Sequence, residues 1–394
     1  MKDQFQIPRI VIAGTGSGVG KTTVVVSLIH ALRKRGMRVA SFKCGPDYLD
    51  PTYHARASGR TCHNIDGWMM GREAVLSTFA EGCKDADIAL IEGVMGLFDG
   101  LSPTADTGST AEIAKWLSAP VLLVVDAKGM ARTIAALVKG FQDFDPDLRL
   151  AGVVSNFVGS ESHLSLLRMA LSNPPIIGGF PKSPEQAFPE RHLGLHSARN
   201  FSRGGQLGGR TEGVKDPRIE YWGSVCEEWF DIDQVLDIAR SGLPVKREAD
   251  EQICLGPERC RIGVALDEAF HFYYEDNLKR LRTLGAELIY FSPLHDSELP
   301  HVDGLYIGGG YPEIHAQALA ANQSMKLAVK KFGENGRPIY AECGGLMYLT
   351  DEIVMVDKTA HSMVGLIPGT TQMGEKLKAL GYVEVTTESD SILG

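Results

Sequence analysis

Short apolar runs recur along the first half of the chain, separated by longer segments in which apolar residues return every third or fourth position. Residues 10–13, 39–43, 88–93, 120–126 and 152–156 contain these runs. Continuous apolar runs of this length are typical of strands buried on both faces, whereas the intervening periodicity is typical of amphipathic helices. The alternation predicts a mostly parallel sheet with helices on both faces.

A second series of apolar runs begins after a polar, glycine-rich stretch at residues 197–223. That stretch shows little periodicity and is interpreted as a loop or partly mobile insertion. A helix near residues 231–238 and a polar linker to residue 259 are expected to follow it. The predicted strands of the second series are 261–266, 287–291, 305–307 and 338–340.

The length of 394 residues suits more than one domain. We expect an α/β domain at 1–196, an insertion and linker at 197–258, and a second α/β domain at 259–394. The net charge of −9, without clustered Lys and Arg, argues against nucleic-acid binding. The seven cysteines fall at no zinc or disulfide-framework spacing, which favours reduced thiols. No apolar run suggests a membrane span or a secretion signal, so we expect a soluble, cytoplasmic protein.

A glycine-rich loop follows the first predicted strand and opens a predicted helix. The loop departs from the G-x-x-x-x-G-K-[ST] spacing only in its first position, Thr15. Strand, loop and helix in this order are typical of a phosphate-binding loop, in which Lys21 reaches the outer phosphates and Thr22 ligates Mg²⁺. The predicted ATP-binding residues are Gly16, Ser17, Gly18, Val19, Gly20, Lys21, Thr22 and Thr23.

Four carboxylates follow predicted strands of the same sheet: Asp47, Asp50, Glu92 and Asp99. Ligands of open α/β sheets bind at the carboxyl ends of the strands, so these side chains are candidates for substrate and metal binding. We predict that Mg²⁺ is held by Thr22, Asp47 and Glu92, and that the remaining carboxylates serve a second substrate. The alternative for Asp47 and Asp50 is that they only form turns.

Asn156 ends the fifth predicted strand of this sheet. Its side chain is placed where it could recognise an adenine, and a simple strand-end turn is an equal alternative.

Cys343 lies between a short apolar run and two glycines. A cysteine at a sharp strand-to-helix turn is typical of a nucleophile, and we expect the amides of the helix N-terminus to lower its pKa. The alternative is a buried, inert cysteine. A triple glycine upstream favours the nucleophile, because amides at Gly309 and Gly310 can stabilise a developing oxyanion. Together they indicate amide hydrolysis.

The aromatic stretch at residues 270–274 also follows a predicted strand of the second domain. It is either a wall for a flat substrate or part of the core.

Together these motifs resemble the CobB/CbiA-type corrinoid a,c-diamide synthases, which are ATP- and glutamine-dependent amidoligases. The resemblance spans nearly the whole chain in family order. The segments that carry it are 15–23, 42–43, 45–48, 50–51, 92–93, 96–100, 191–195, 267–270, 272–274, 308–313 and 341–345.

The resemblance implies a dethiobiotin synthetase-like P-loop domain followed by a class I, triad-type glutamine amidotransferase domain. It also implies the reaction: ATP phosphorylates the a- and c-side-chain carboxylates of cobyrinic acid, and ammonia from glutamine displaces the phosphate. Nickel-sirohydrochlorin, on the route to coenzyme F430, is the alternative substrate. The implied ligands are therefore ATP, Mg²⁺, glutamine and a tetrapyrrole, and the resemblance is compatible with a homodimer.

A different class, the P-loop partitioning ATPases, shares only the outline of the first 160 or so residues. Those ATPases have a second lysine early in the loop, where this chain has Gly16. They also lack a domain of the Cys343 type.

The resemblance implies a histidine base in a Gly-His-Glu-Phe-His-like motif after a strand corresponding to residues 380–385. The chain stops at Gly394 and His361 does not match that motif. We therefore expect a C-terminal truncation and assign His361 no role.

Overall fold

The computed structural model describes residues 2–183, 216–248, 259–375 and 381–386. These residues divide into two units: 2–183 with 216–248, and 259–375 with 381–386. The motif at 191–195 lies outside the described residues, as do residues 197–215 and 249–258 of the predicted insertion and linker. Within them, no helix is long and apolar enough to cross a bilayer.

The first unit alternates strands and helices as the apolar pattern predicts. Its strands are β1 (Lys2–Phe5), β2 (Arg9–Gly14), β3 (Val39–Cys44), β4 (Cys62–Ile65), β5 (Ile88–Glu92), β6 (Val121–Asp126), β7 (Leu150–Asn156), β8 (Ile176–Gly178) and β9 (Val245–Glu248). Its helices are α1 (Lys21–Lys34), α2 (Asp50–Ser58), α3 (Gly67–Gly82), α4 (Thr110–Trp116), α5 (Thr133–Phe144), α6 (Glu161–Ala170), α7 (Pro217–Trp229) and α8 (Ile232–Arg240).

Seven of these strands form one parallel sheet in the order β4-β3-β5-β2-β6-β7-β8. Separate apolar clusters cover its two faces, one containing Val11 and the other Ile10 and Ile12. Alternate residues of β2 therefore point into different cores, which is why the strand is continuously apolar. The predicted fold class of this domain is confirmed.

Helix α7 corrects the interpretation of residues 197–223, because residues 217–223 are helical. The helix packs closely on α1: a Cβ added to Gly223 would lie 2.1 Å from the His30 ring. Trp222 contacts Phe180, which also contacts Phe230 at the end of α7. The buried residues Ile219, Trp222, Gly223 and Cys226 recur every third or fourth position along α7, but the helix crosses the end of the 197–223 range, so only part of this signal lies inside it. The predicted helix near 231–238 is present as α8.

The second unit contains a smaller parallel sheet among several short strands. The strands of the whole unit are β10 (Cys260–Ala265), β11 (Phe270–Phe272), β12 (Ala286–Phe291), β13 (Gly304–Ile307), β14 (Gly309–Gly310), β15 (Ile339–Ala341), β16 (Thr350–Val354), β17 (Ala360–Ser362) and β18 (Ile367–Gln372). Its helices are α9 (Glu275–Thr283), α10 (Ala316–Ala321), α11 (Gln323–Glu334) and α12 (Gly344–Leu349).

The order of the parallel sheet is β12-β10-β13-β15. Ile307 pairs with Ala341, so the triple-glycine loop after β13 and the cysteine turn after β15 leave the sheet side by side. Strands β16, β17 and β18 form a separate small sheet. Residues 381–386 are not in a strand, which corrects the predicted strand at 380–385 for that part.

Arg9, at the start of β2, is fully buried and is bonded to backbone carbonyls. Its Nε donates to Leu117 O at 2.6 Å and its Nη1 to Ile7 O at 3.0 Å. Its Nη2 donates to Ser118 O at 3.3 Å and also to Leu243 O. One guanidinium thus ties the end of α4 and the segment after α8 to the central strand.

Replacing Arg9 with Met should lower the free energy of unfolding of the first unit by about 3–5 kcal/mol, because several buried carbonyls lose their donor together. Urea denaturation followed by circular dichroism measures this change. Arg149→Met is the matched control: Arg149 also donates to a carbonyl of this region, Ser241 O at 2.8 Å, but from an exposed position. Equal losses for the two variants would contradict the role of the buried guanidinium.

Candidate functional sites

The phosphate-binding loop joins β2 to α1, and its lysine is already engaged with the backbone. Lys21 Nζ donates to Gly16 O at 2.9 Å and to Met95 O at 2.5 Å. A Cβ added to Gly16 or to Gly18 would meet nothing within 4 Å. There is thus space for a ligand against the loop backbone. A phosphate bound there could replace the two carbonyl oxygens as the hydrogen-bond acceptor of Lys21.

Asn156 holds the loop from the end of β7. Its buried side chain donates from Nδ2 to Val19 O at 2.7 Å. Gly20 has φ of 91°, and a Cβ there would lie 2.0 Å from Asn156 Nδ2. Gly20 therefore needs to be glycine for both its conformation and its close approach. The structure shows Asn156 in contact with the loop, and adenine recognition stays a prediction.

Glu92, the last residue of β5, is the centre of a set of polar contacts. The hub consists of Glu92 with Thr22, Lys43, His54 and Cys62. Register places it beside Lys43 of β3. Its Oε1 accepts from Thr22 Oγ1 and from Lys43 Nζ, both at 2.8 Å. Its Oε2 lies 2.5 Å from Nε2 of His54 on α2, and His54 Nδ1 lies 3.4 Å from Cys62 Sγ on β4. Glu92 and His54 are fully buried.

Opposite charges in this hub outweigh the effect of burial. Burial alone would raise the pKa of Glu92, but Lys43 and His54 hold it well below its usual range. Burial would likewise lower the pKa of Lys43, but Asp50 and Glu92 raise it. Lys43 Nζ lies 2.8 Å from Asp50 Oδ2 as well as from Glu92 Oε1. Glu92 and Lys43 are therefore ionised together at neutral pH.

The other predicted carboxylates also have partners. Asp47 Oδ1 accepts from the amides of Leu49 at 2.8 Å and Asp50 at 3.1 Å, so it does form the turn that opens α2. Asp99 Oδ2 accepts from Gly96 N at 2.9 Å within its own loop. Asp50, Glu92 and Lys43 form one charged cluster, whereas Asp47 and Asp99 each brace the backbone of a loop. Both turn and ligand roles remain compatible with Asp47.

The chemistry of Thr22 and Glu92 fits Mg²⁺, because a hydroxyl and a carboxylate oxygen meet at the foot of the phosphate loop. Among the described residues no three carboxylate, imidazole or thiol side chains form a ready-made metal site. Mg²⁺ commonly takes only one or two protein ligands and completes its shell with phosphate oxygens and water. The arrangement therefore suits a metal that arrives with a nucleotide.

In the second unit, Cys343 stands at a strand-to-helix turn between β15 and α12. Its φ of 47° and ψ of −110° are strained for a residue with a side chain. Its neighbours are crowded: a Cβ on Gly345 would lie 2.1 Å from Ile307 O, and one on Gly309 would lie 3.4 Å from Cys343 Cβ. The glycines let the two loops meet and keep the thiol exposed.

The expected lowering of the Cys343 pKa is wrong. Partial burial raises it, and the carboxylates of Glu313 and Glu342 add to that rise. The amide of Gly344 does act in the expected direction, but it is outweighed. Among the described residues no histidine is hydrogen-bonded to the thiol. The thiol is therefore largely protonated at neutral pH in the absence of substrate.

The aromatic stretch supports the triple-glycine loop from below. Tyr273 is buried, its hydroxyl bonds to Ala265 O, and it accepts from Gly308 N at 2.8 Å. The amide of Gly308 is thus already used, and of the predicted oxyanion residues Gly309 lies beside Cys343. Gly309 and Gly310 form strand β14, which pairs with β11 of the aromatic stretch. Phe270 and Tyr273 belong to the core, so the core alternative holds for these two residues.

Sequence reasoning missed the roles of Lys43, His54 and Cys62 in the hub. Lys43 shares a strand end with the predicted carboxylates, and this could have marked it. His54 follows Asp50 by four residues on α2, a spacing that places both on one helix face. Nothing local connects Cys62 to His54, because only the pairing of β3 with β4 brings that strand beside the helix.

Two family profiles match the chain, one for each unit. The CobQ/CobB/MinD/ParA nucleotide binding domain matches residues 10–193, and the CobB/CobQ-like glutamine amidotransferase domain matches residues 261–394. Nucleotide binding in one domain and glutamine amide transfer in the other define a glutamine-dependent amidoligase, and this argues against a partitioning ATPase.

Curated relatives align along almost the whole chain. Cobyrinate a,c-diamide synthase of Leptospira interrogans is 54% identical over 99% of this chain and 83% of its own length. The enzyme of Priestia megaterium is 46% identical over 98% and 82%, and that of Methanosarcina barkeri 42% identical over 98% and 82%. The chain belongs to the cobyrinate a,c-diamide synthase family.

Cys343 should be alkylated by iodoacetamide faster than Cys44, Cys83 or Cys226, because it is exposed while they are buried. Its rate should rise toward alkaline pH, since only the thiolate reacts. Glu342→Gln should increase the rate near about pH 7, because removing the adjacent negative charge lowers the thiol pKa. Mass spectrometry of the peptides measures each rate.

Glu334→Gln serves as the control for this substitution, because Glu334 ends α11 and is not among the groups that shift the Cys343 pKa. An equal increase in both variants, or a rate that does not depend on pH, would contradict the proposed electrostatics.

Proposed function

We propose that the chain amidates the a- and c-side-chain carboxylates of cobyrinic acid, using ATP and glutamine-derived ammonia, in cobalamin biosynthesis. The observation that carries the proposal is the presence of two different reactive centres in one chain. The Lys21, Thr22, Glu92 and Lys43 centre suits phosphoryl transfer, and the strained, exposed Cys343 suits acyl transfer. The names of the relatives supply the macrocycle.

In the first unit, an oxygen of the substrate carboxylate attacks the γ-phosphorus of ATP. The bond between that phosphorus and the bridging oxygen breaks, ADP leaves, and an acyl phosphate forms. Lys21 moves from Gly16 O and Met95 O to the phosphate oxygens and neutralises their charge. Ammonia then attacks the acyl carbon and loses a proton. The bond between the acyl carbon and the phosphate oxygen breaks, and inorganic phosphate leaves.

Thr22 and Glu92, with Asp47 near the same strand ends, would hold Mg²⁺, which supplies charge neutralisation for the nucleotide phosphates when bound. Lys43 Nζ forms ion pairs with both Asp50 and Glu92 and so holds the two carboxylates together. Asp50 and Asp99 are the proposed contacts for the substrate. Gly16 to Thr23 supply the backbone amides and side chains that hold the triphosphate.

In the second unit, Cys343 Sγ attacks the side-chain amide carbon of glutamine. The amides of Gly309 and Gly310 stabilise the developing oxyanion, ammonia leaves, and water then hydrolyses the thioester to glutamate. Because the resting thiol is largely protonated, a base has to take its proton during the attack. The family resemblance assigns that proton to a histidine.

Cys343→Ala should abolish amidation supported by glutamine and leave amidation supported by ammonium salts close to that of the unaltered protein, because free ammonia bypasses the thioester. The assay uses purified protein with ATP, Mg²⁺ and cobyrinic acid, and repeats each reaction with nickel-sirohydrochlorin. Cys260→Ala, a half-buried cysteine of the same unit, is the control. Loss of both activities in a folded Cys343→Ala variant would contradict separable sites, and preference for nickel-sirohydrochlorin would overturn the proposed substrate.

Lys21→Ala should reduce ATP-dependent turnover with either nitrogen source, on the order of 10²–10³-fold, because it removes positive charge from the transition state. Glutamine hydrolysis by the second unit should persist at its own level. Lys34→Ala is the control, since Lys34 lies on the same helix and pairs with Glu227 in an exposed position. Undiminished amidation in Lys21→Ala would rule out the loop as the ATP site.

A further inference from the structure

Oxygen Oε2 of Glu92 faces away from Thr22 and Lys43, and in the described residues its hydrogen-bond partner is His54 alone. The distance of 2.5 Å and the complete burial of both residues make this a strong contact that water does not share. A carboxylate only accepts hydrogen bonds, so His54 Nε2 carries the proton. His54 Nδ1 then faces Cys62 Sγ at 3.4 Å.

We propose that His54 is a positioning residue for the nucleotide and metal centre: it holds Oε2 of Glu92 so that Oε1 is presented to Thr22 and Lys43. The inference rests on the proposed function of the first unit and adds a residue that does not itself touch ATP or substrate. Its effect on the reaction passes through Glu92.

The geometry of the Glu92 carboxylate explains why each of its two oxygens needs a hydrogen-bond donor. Thr22 and Lys43 both act on Oε1, so they set its distance but leave the carboxylate free to turn about that oxygen. His54 bonds to the opposite oxygen from α2 and removes this rotation. An unpartnered Oε2 in a site without water is unfavourable, so the carboxylate would turn to recover a donor. Thr22 would then lose its partner.

Cys62 completes the support from the other side of the ring. With Nε2 protonated toward Glu92, Nδ1 is the ring atom that faces the Cys62 sulfur. This contact limits rotation of the imidazole and so fixes the direction of the Nε2–H bond. Carboxylates that ligate metals are generally held by hydrogen bonds from such outer-shell partners.

Simple core packing of a histidine is the competing explanation, and it makes a different prediction. A packing role affects stability and every ligand equally. A positioning role weakens binding of the divalent cation beyond any loss of stability and leaves metal-free nucleotide binding nearly unchanged. Outer-shell partners of metal ligands are generally worth about 10–100-fold in metal affinity.

The test compares two amides of similar polarity at this position. In His54→Gln the side-chain nitrogen reaches roughly the place of Nε2, whereas in His54→Asn it falls one bond short of Glu92. Binding of Mn²⁺ is followed by electron paramagnetic resonance in the presence of a non-hydrolysable ATP analogue. Nucleotide affinity in EDTA and the melting temperature are measured on the same preparations of the 394-residue chain.

His54→Asn should weaken Mn²⁺ binding by about 10–100-fold, and His54→Gln should recover most of that loss. Affinity for the analogue in EDTA should be the same in both. His163→Gln is the control, because His163 Nε2 contacts Met130 O at 2.7 Å and does not touch the hub.

Equal Mn²⁺ affinity in the Gln and Asn variants would overturn the positioning role, whether both are strong or both are weak. Absence of analogue-dependent Mn²⁺ binding in the unaltered protein would instead contradict the proposed nucleotide site, and the inference with it. The two failures are therefore distinguishable.

Discussion

The first unit depends on keeping one buried carboxylate charged. Glu92 is removed from water at the end of a central strand, and an ionised carboxylate there is tolerable only if its oxygens are fully hydrogen-bonded. Thr22, Lys43 and His54 meet that condition, and each comes from a different element: α1, β3 and α2. The need to satisfy one charge therefore holds the ends of these elements together around the phosphate loop.

The second unit is organised by steric approach rather than by charge. The chain after β13 and the chain after β15 meet so closely that a side chain at Gly345 would collide with the carbonyl of Ile307. This approach forces Cys343 into its strained conformation and places it beside Gly309. The site of the first unit thus depends on a buried charge that is balanced by its partners. The site of the second unit depends on glycines, whose lack of a side chain lets two backbone segments approach closely.

Short-range pattern was enough to predict both architectures and both turns. The apolar runs predicted the strands, and glycines beside Lys21 and Cys343 predicted the loops, because those features are encoded within about ten consecutive residues. The contact of His54 with Glu92 spans 38 positions and depends on how α2 rests on the sheet. Helix α7 was missed because its apolar positions, 219, 222, 226 and 229, run across residue 223, where the polar range interpreted as a loop ends.

The direction of the Cys343 pKa shift was mispredicted for the same reason. The sequence shows only the neighbouring helix amide, whereas burial and the carboxylate of Glu313 come from the folded loops. A local motif can therefore specify where a reactive group stands without specifying how reactive it is.

The protonated, exposed state of Cys343 also bears on survival of the enzyme under oxidative stress. Peroxides attack the thiolate and convert it stepwise to sulfenic and then to irreversible sulfinic acid. A thiol with a raised pKa offers a smaller fraction of thiolate to peroxide between turnovers. Burial, with a smaller contribution from the carboxylates of Glu313 and Glu342, thereby limits oxidation of the same sulfur that has to attack glutamine.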